Sequence, residues 1–247
     1  MAMVIGTVVE GPTDRLVIEA IFNLLFPGDH DFRSLQPLAT LGGFGESGGG
    51  WKGVRKWCED VLRTSGLSLD AYMSADAGGR IDALIVHLDV DVAYEDDFQE
   101  NVLPSEPIIG SLCPPSSSAA DLIRRVVFRW MGLGSAAPKG LIFAIPGQDM
   151  ENWVFAALFP TDELCAQTNF ECKHYDHEHP AYLLTLKKYG KHLVRKPPGR
   201  NETKPTIKKS VSKYRTLSAD VVANWDAVKG VCTQAVTFEC DARTVLP

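Results

Sequence analysis

A chain of 247 residues, 45% hydrophobic and 23% charged, can bury a substantial core and is neither disordered nor collagen-like in composition. No apolar run reaches the roughly 20 residues of a membrane span, and the start, MAMVIGTVVEG, lacks the basic region and cleavage site of a signal peptide. The net charge of −6 hides an asymmetry: residues 187–215 hold eleven Lys/Arg and one acid, Glu202, against fourteen Lys/Arg and thirty acids elsewhere. A basic segment on an acidic body suits local contact with a polyanion; its alternative is a solvated loop.

In chain order, Met3–Val9 is a short apolar, β-branched run that predicts a buried strand. It ends at Glu10-Gly11-Pro12-Thr13-Asp14, where Thr13 is the expected N-cap of a helix running to Pro27-Gly28. A second strand is expected over 33–41, then a glycine-rich loop to Gly50, then a helix over 51–65 with Trp51, Val54, Trp57 and Val61 on one side. The run Ala83–Leu88 is the most continuous apolar stretch and should be a central strand ending in Asp89-Val90-Asp91. A proline-rich loop leads to a helix over 118–131, and GLIFAIPG, 140–147, makes another strand before Glu151 and a helix. This alternation predicts an α/β fold, a mostly parallel sheet flanked by helices, over residues 1–160. Residues 161–247 read as a helical and irregular C-terminal appendage packing on that core, with a final helix near 218–235.

Six scattered cysteines (Cys58, Cys113, Cys165, Cys172, Cys232, Cys240) predict reduced thiols and a cytoplasmic location. Cys172, His174, His177 and His179, with Cys165, form a local soft-ligand cluster, but their spacing fits no strong zinc pattern. An ordinary polar loop is the default reading there, and structural zinc the lesser one.

The chemistry is expected at the carboxylates. Glu10, Asp89 and Asp91 end predicted strands, Asp14 lies in the first turn of a helix, and Glu151 begins another. All fall at the C-terminal edge of the sheet, where ligands of open α/β folds bind. Two divalent ions about 4 Å apart can neutralise a phosphate and position a nucleophile, and Mg²⁺ or Mn²⁺ prefer carboxylate oxygens. The five acids are therefore candidate metal ligands and catalytic residues. Lys52, at the end of the glycine-rich loop, and Lys188, Lys191, Lys208 and Lys209 are candidate contacts to nucleic acid.

VVEGPTD, followed some 75 residues later by LIVHLDVD, resembles the Toprim domain, and AIPGQDMENWVFAAL resembles an element of its OLD-like nuclease subgroup. The resemblance covers residues 1–160. It implies a Toprim-like, Rossmann-related sheet and an Mg²⁺- or Mn²⁺-dependent nuclease, a hydrolase of phosphodiester bonds with a role in defence against phage or plasmids. Glu10 would serve in acid/base or metal roles, and Asp89 and Asp91 as the metal-binding pair, with Asp14 and Glu151 joining them. DNA is the expected substrate ahead of RNA. The chain carries no GxxxxGK[ST] motif, so an ATPase would be a separate partner. Alternatives are a weakly catalytic or non-catalytic binding subunit of a defence complex and a haloacid-dehalogenase-like phosphatase with Asp89 as nucleophile. The sequence leaves open whether copies of the chain associate as a homo-oligomer.

Overall fold

The computed structural model describes residues 2–40, 43–44, 48–65, 68–74, 79–106, 112–134, 138–173, 177–197 and 206–246. Four strands build the main sheet: β1 (Val4–Val8), β2 (Asp31–Gln36), β5 (Ala83–His87) and β6 (Leu141–Ala144), in the order β2-β1-β5-β6. Every pairing is parallel. Ile5 lies opposite Ala83 and Val8 opposite Val86, while Leu84 faces Leu141 and His87 faces Ala144. The expected α/β architecture is thus met, with β1 and β5 central. Two short antiparallel pairs accompany it, β3 (Ala39–Thr40) with β4 (Gly43–Phe44) and β7 (Val194–Lys196) with β8 (Thr206–Lys208).

Side-chain alternation divides the core between the two faces of the sheet. Ile85, Ile142 and Ala144 point to one layer, made of α1 (Pro12–Leu25), α6 (Met150–Leu158) and the C-terminal helices. Leu84, Val86, Leu141 and Phe143 point to the other, made of α2 (Gly50–Ser65), α3 (Leu69–Ser74) and α5 (Ser116–Trp130), with α4 (Asp96–Asn101) beside it. The C-terminal helices join the first layer: α8 (Val211–Ala223) packs on α1 and α6, and α10 (Thr233–Val245) on β6. The fully buried Trp153 of α6 meets Trp225 edge-on at 5.6 Å and Phe238 at 6.0 Å.

Several local expectations are corrected. The first helix begins at Pro12 with Gly11 as its extended N-cap, so Thr13 is not the cap; proline suits that first position because its missing N–H would have no partner there. The strand expected over 33–41 stops at Gln36, because Pro37 cannot donate to a ladder. The helix expected over 218–235 is three: α8, α9 (Trp225–Val231) and α10. A distant side chain fixes the last break. Glu171 accepts the N–H groups of Thr233 (2.7 Å) and Gln234 (3.0 Å) and so caps α10.

The cysteines are not all reduced. Cys113 and Cys172, 59 residues apart, form a disulfide with a Cα–Cα distance of 5.5 Å, joining the approach to α5 to the turn at 170–172. Only the tertiary fold brings these two together. Cys58, Cys165, Cys232 and Cys240 are free thiols. No helix among the described residues is long and apolar enough to cross a membrane.

Candidate metal centre

The parallel sheet delivers its acids to one edge. Glu10 follows β1, Asp89 follows β5, and Asp149 follows β6 and caps α6 through the N–H of Asn152. Glu10 Oε1 accepts the backbone N–H of Asp89 at 2.6 Å, and the Glu10 carbonyl accepts the N–H of Gly50. The end of the glycine-rich loop is thereby docked on the site; its residues 45–47 lie outside the described ones. Gly50 sits at φ +66° and Gly48 at φ +72°, which favours glycine at both turns. The carbonyl of Gln148 accepts the N–H groups of Val90 (2.7 Å) and Asp91 (3.1 Å), so the loop after β6 shapes the Asp89–Asp91 turn.

One ligand atom each from Glu10, His87 and Asp89 lie within 4.8 Å of one another. His87 Nε2 stands 3.0 Å from Asp89 Oδ1, with the imidazole wholly buried at the end of β5. Beside this trio a cleft of about 340 Å³ opens, lined by Glu10, Gly11, Asp14, Asp89, Lys209 and Val211. A larger cavity, about 560 Å³, lies apart from the strand ends against Ser116, Glu171 and Gln234, and its carboxylate is already engaged by α10.

The electrostatics record crowded negative charge. Burial, then the charges of Asp89 and Asp91, hold the Glu10 carboxyl well above its ordinary range. Burial likewise raises Asp14 to about 6, against the pull of Lys209. Asp149 is held high by burial and by Glu151 and Asp89. Burial opposes the charged form of His87, but Asp89 outweighs it and raises the imidazole.

The five expected ligands do not play equal parts. Glu10 and Asp89 converge. Asp14 lines the same cleft, 3.9 Å from Lys209 Nζ. Asp91 opens a short 3₁₀ turn, Val90–Tyr94, close enough for its charge to act on Glu10. Glu151 is fully buried and already engaged: Lys209 Nζ lies 2.8 Å from Oε2, and Tyr214 donates its phenolic hydrogen to Oε1. Burial would raise Glu151, but the Lys209 ammonium and the Tyr214 hydroxyl outweigh it and hold the carboxyl low. Glu151, expected as a metal ligand, thus meets Lys209 and Tyr214 and does not line the cleft.

Of the five candidate lysines the fold carries one, Lys209, into the centre, directly after β8. Lys208 stays exposed on β8, Lys191 is exposed at φ +50°, and Lys188 folds over the Tyr189 ring. Lys52 pairs with Asp97 on the surface and does not line the cleft. Sequence reasoning missed His87, Asp149 and Tyr214, and grouped His179 with a soft-ligand cluster instead. For His87 the signal was present: it lies two residues before Asp89 in a strand, hence on the same face. His179, whose Nδ1 accepts the N–H of Ala181, reaches Asp149 with Nε2 at 3.3 Å.

The soft-ligand cluster is no zinc site among the described residues. Cys172 is in the disulfide, Cys165 donates to the Phe159 carbonyl, His179 faces Asp149, and His177 packs on Tyr182. His174 lies outside the described residues.

No family model, curated protein or solved structure matches the chain. Fold and site together define an α/β protein with a buried acidic centre at the carboxyl edge of a parallel sheet.

Proposed function

We propose that the chain is a divalent-metal-dependent enzyme acting on phosphodiester bonds of nucleic acid, with DNA as the first substrate to test. The observation that carries this reading is the convergence of Glu10, His87 and Asp89 within 4.8 Å beside a cleft that also presents Asp14 and Lys209. The donor set fits a cation, because two carboxylates and a buried imidazole bring their ligand atoms within 4.8 Å of one another. Two carboxylates with an imidazole nitrogen suit Mn²⁺ better than the strictly oxygen-seeking Mg²⁺. Glu10, His87 and Asp89 would hold the ion. When bound, it supplies Lewis acidity toward a phosphoryl oxygen and toward water.

The chain's own residues supply the rest. Lys209 presents positive charge to an entering phosphate while Glu151 and Tyr214 fix where that charge sits. The β7–β8 hairpin leads straight into Lys209 and exposes Arg195, Lys196 and Lys208, a basic approach to the cleft. The likeness of VVEGPTD and LIVHLDVD to Toprim motifs supports the same reading and, with it, a role in defence against invading DNA. The test is a cleavage assay on plasmid, single-stranded DNA and RNA with Mn²⁺ or Mg²⁺. Cleavage should require the metal and vanish in Asp89→Ala and in Glu10→Ala. Full activity in both variants would sink the assignment.

A further inference from the structure

We propose that this centre holds a single divalent cation, and that the ammonium of Lys209 takes the place a second one would fill. The inference rests on the metal reading above and sharpens it. Five acids near one cleft would ordinarily suggest two ions. The side chains divide them differently. Glu10 and Asp89 gather with His87 on one side, ligand atoms within 4.8 Å, open to a cation. Asp14 and Glu151 gather on the other side around Lys209, whose Nζ is 2.8 Å from Glu151 Oε2 and 3.9 Å from Asp14 Oδ1. Both Glu151 oxygens are engaged, one by Lys209 and the other by Tyr214, in a carboxylate with no exposed surface. A second ion on Glu151 would have to displace an ammonium and a hydroxyl, leaving the buried Tyr214 hydroxyl without its acceptor.

The backbone around the lysine is fixed on both sides, while its side chain is 32% exposed toward the cleft. On its N-terminal side Ile207 of β8 packs against the core, and β8 is paired to β7. On its C-terminal side α8 begins at Val211, and the fully buried Tyr214 is fastened to the same glutamate. Residue 209 is thus held from both flanks beside the acids that its ammonium meets. A tethered monovalent cation differs from a bound ion in two ways: it is never lost to a chelator, and it donates hydrogen bonds to phosphate where an ion would coordinate it.

The test counts ions. Mn²⁺ titration of the full chain by calorimetry, with free Mn²⁺ followed by electron paramagnetic resonance, should give one bound ion in the wild type. Lys209→Ala frees Asp14 and Glu151 and should raise the count to two, whereas Lys209→Arg keeps the charge and should leave it at one. Two ions in the wild type would overturn the inference while leaving the metal centre standing, and so would a count that stays at one in Lys209→Ala. No bound ion in the wild type would overturn the metal reading itself. Should Lys209→Ala fail to fold, the wild-type and Lys209→Arg counts still decide.

Discussion

Glu10 and Asp89 are joined by a hydrogen bond in which a side chain that faces the cleft also fastens two strand ends, Oε1 accepting the Asp89 N–H at 2.6 Å. The two duties separate by substitution. Glu10→Ala leaves a largely buried N–H without its acceptor, a cost of about 1–3 kcal/mol. Glu10→Gln keeps an acceptor oxygen and removes a buried charge, so the metal-free protein should melt no lower than wild type. Both variants should lose the rise in Tm that Mn²⁺ gives the parent. Thermal melts with and without Mn²⁺ measure this; an unshifted metal-free melt for Glu10→Ala would remove the latch from the account.

The C-terminal helices carry a pH-sensitive contact of their own. Burial works against ionised Glu239, but Lys229 Nζ at 2.9 Å, Trp225 Nε1 at 2.8 Å and Arg243 Nε at 3.0 Å outweigh it and hold its pKa low. The unfolded chain therefore takes up this proton at higher pH than the folded one. The contribution to stability is complete above the ordinary glutamate range and is lost as pH falls through it. Glu239→Gln should lower the Tm near neutrality and change little in acid, so that the acid side of a Tm-against-pH curve flattens.

The Cys113–Cys172 bridge closes a loop over a separation of 59 residues. In the chain-entropy account such a cross-link is worth about 4 kcal/mol. Reductant should lower the Tm of the wild type, and Cys113→Ser should melt at that lower temperature whether or not reductant is present. A wild type indifferent to reductant would show that the bridge carries no stability.

Trp153→Ala should cost about 3–5 kcal/mol, as expected for removing a fully buried indole. Because Trp153 touches Trp225 and Phe238, the loss should appear first as faster hydrogen exchange in α9 and α10. Uniform exchange across the sheet and helices would instead mark a single cooperative unit.

The exposed cations of the hairpin make a separate prediction for nucleic-acid binding. Lys196→Ala and Lys208→Ala should weaken binding alike on all sequences and lower the slope of log K against log salt by about 1 each. Fluorescence anisotropy over a salt series reads both quantities. A change confined to one sequence would mean that these side chains read bases.

What the sequence made legible follows from range. The runs ending at Glu10 and Asp89 are continuous and apolar, so strands β1 and β5, and the acids that terminate them, could be placed from periodicity alone. The division of labour among those acids could not. Lys209 differs from Lys188, Lys191 and Lys208 only through the β7–β8 pairing, and Tyr214 reaches Glu151 across 63 residues. Glu171 capping α10, and Cys172 finding Cys113, are contacts of the same long-range kind. His87 is the exception, since strand parity alone places it beside Asp89.

That the ammonium arrives from a distant part of the chain has a consequence for how the protein is made. Glu10, Asp89 and Glu151 leave the ribosome well before Lys209 and Tyr214. A nascent chain therefore carries the acidic pocket without its counter-charge until the hairpin and α8 emerge and dock. On the function proposed above, the acidic centre would be assembled in this order beside ribosomal RNA and messenger, with its positive element the last to be installed.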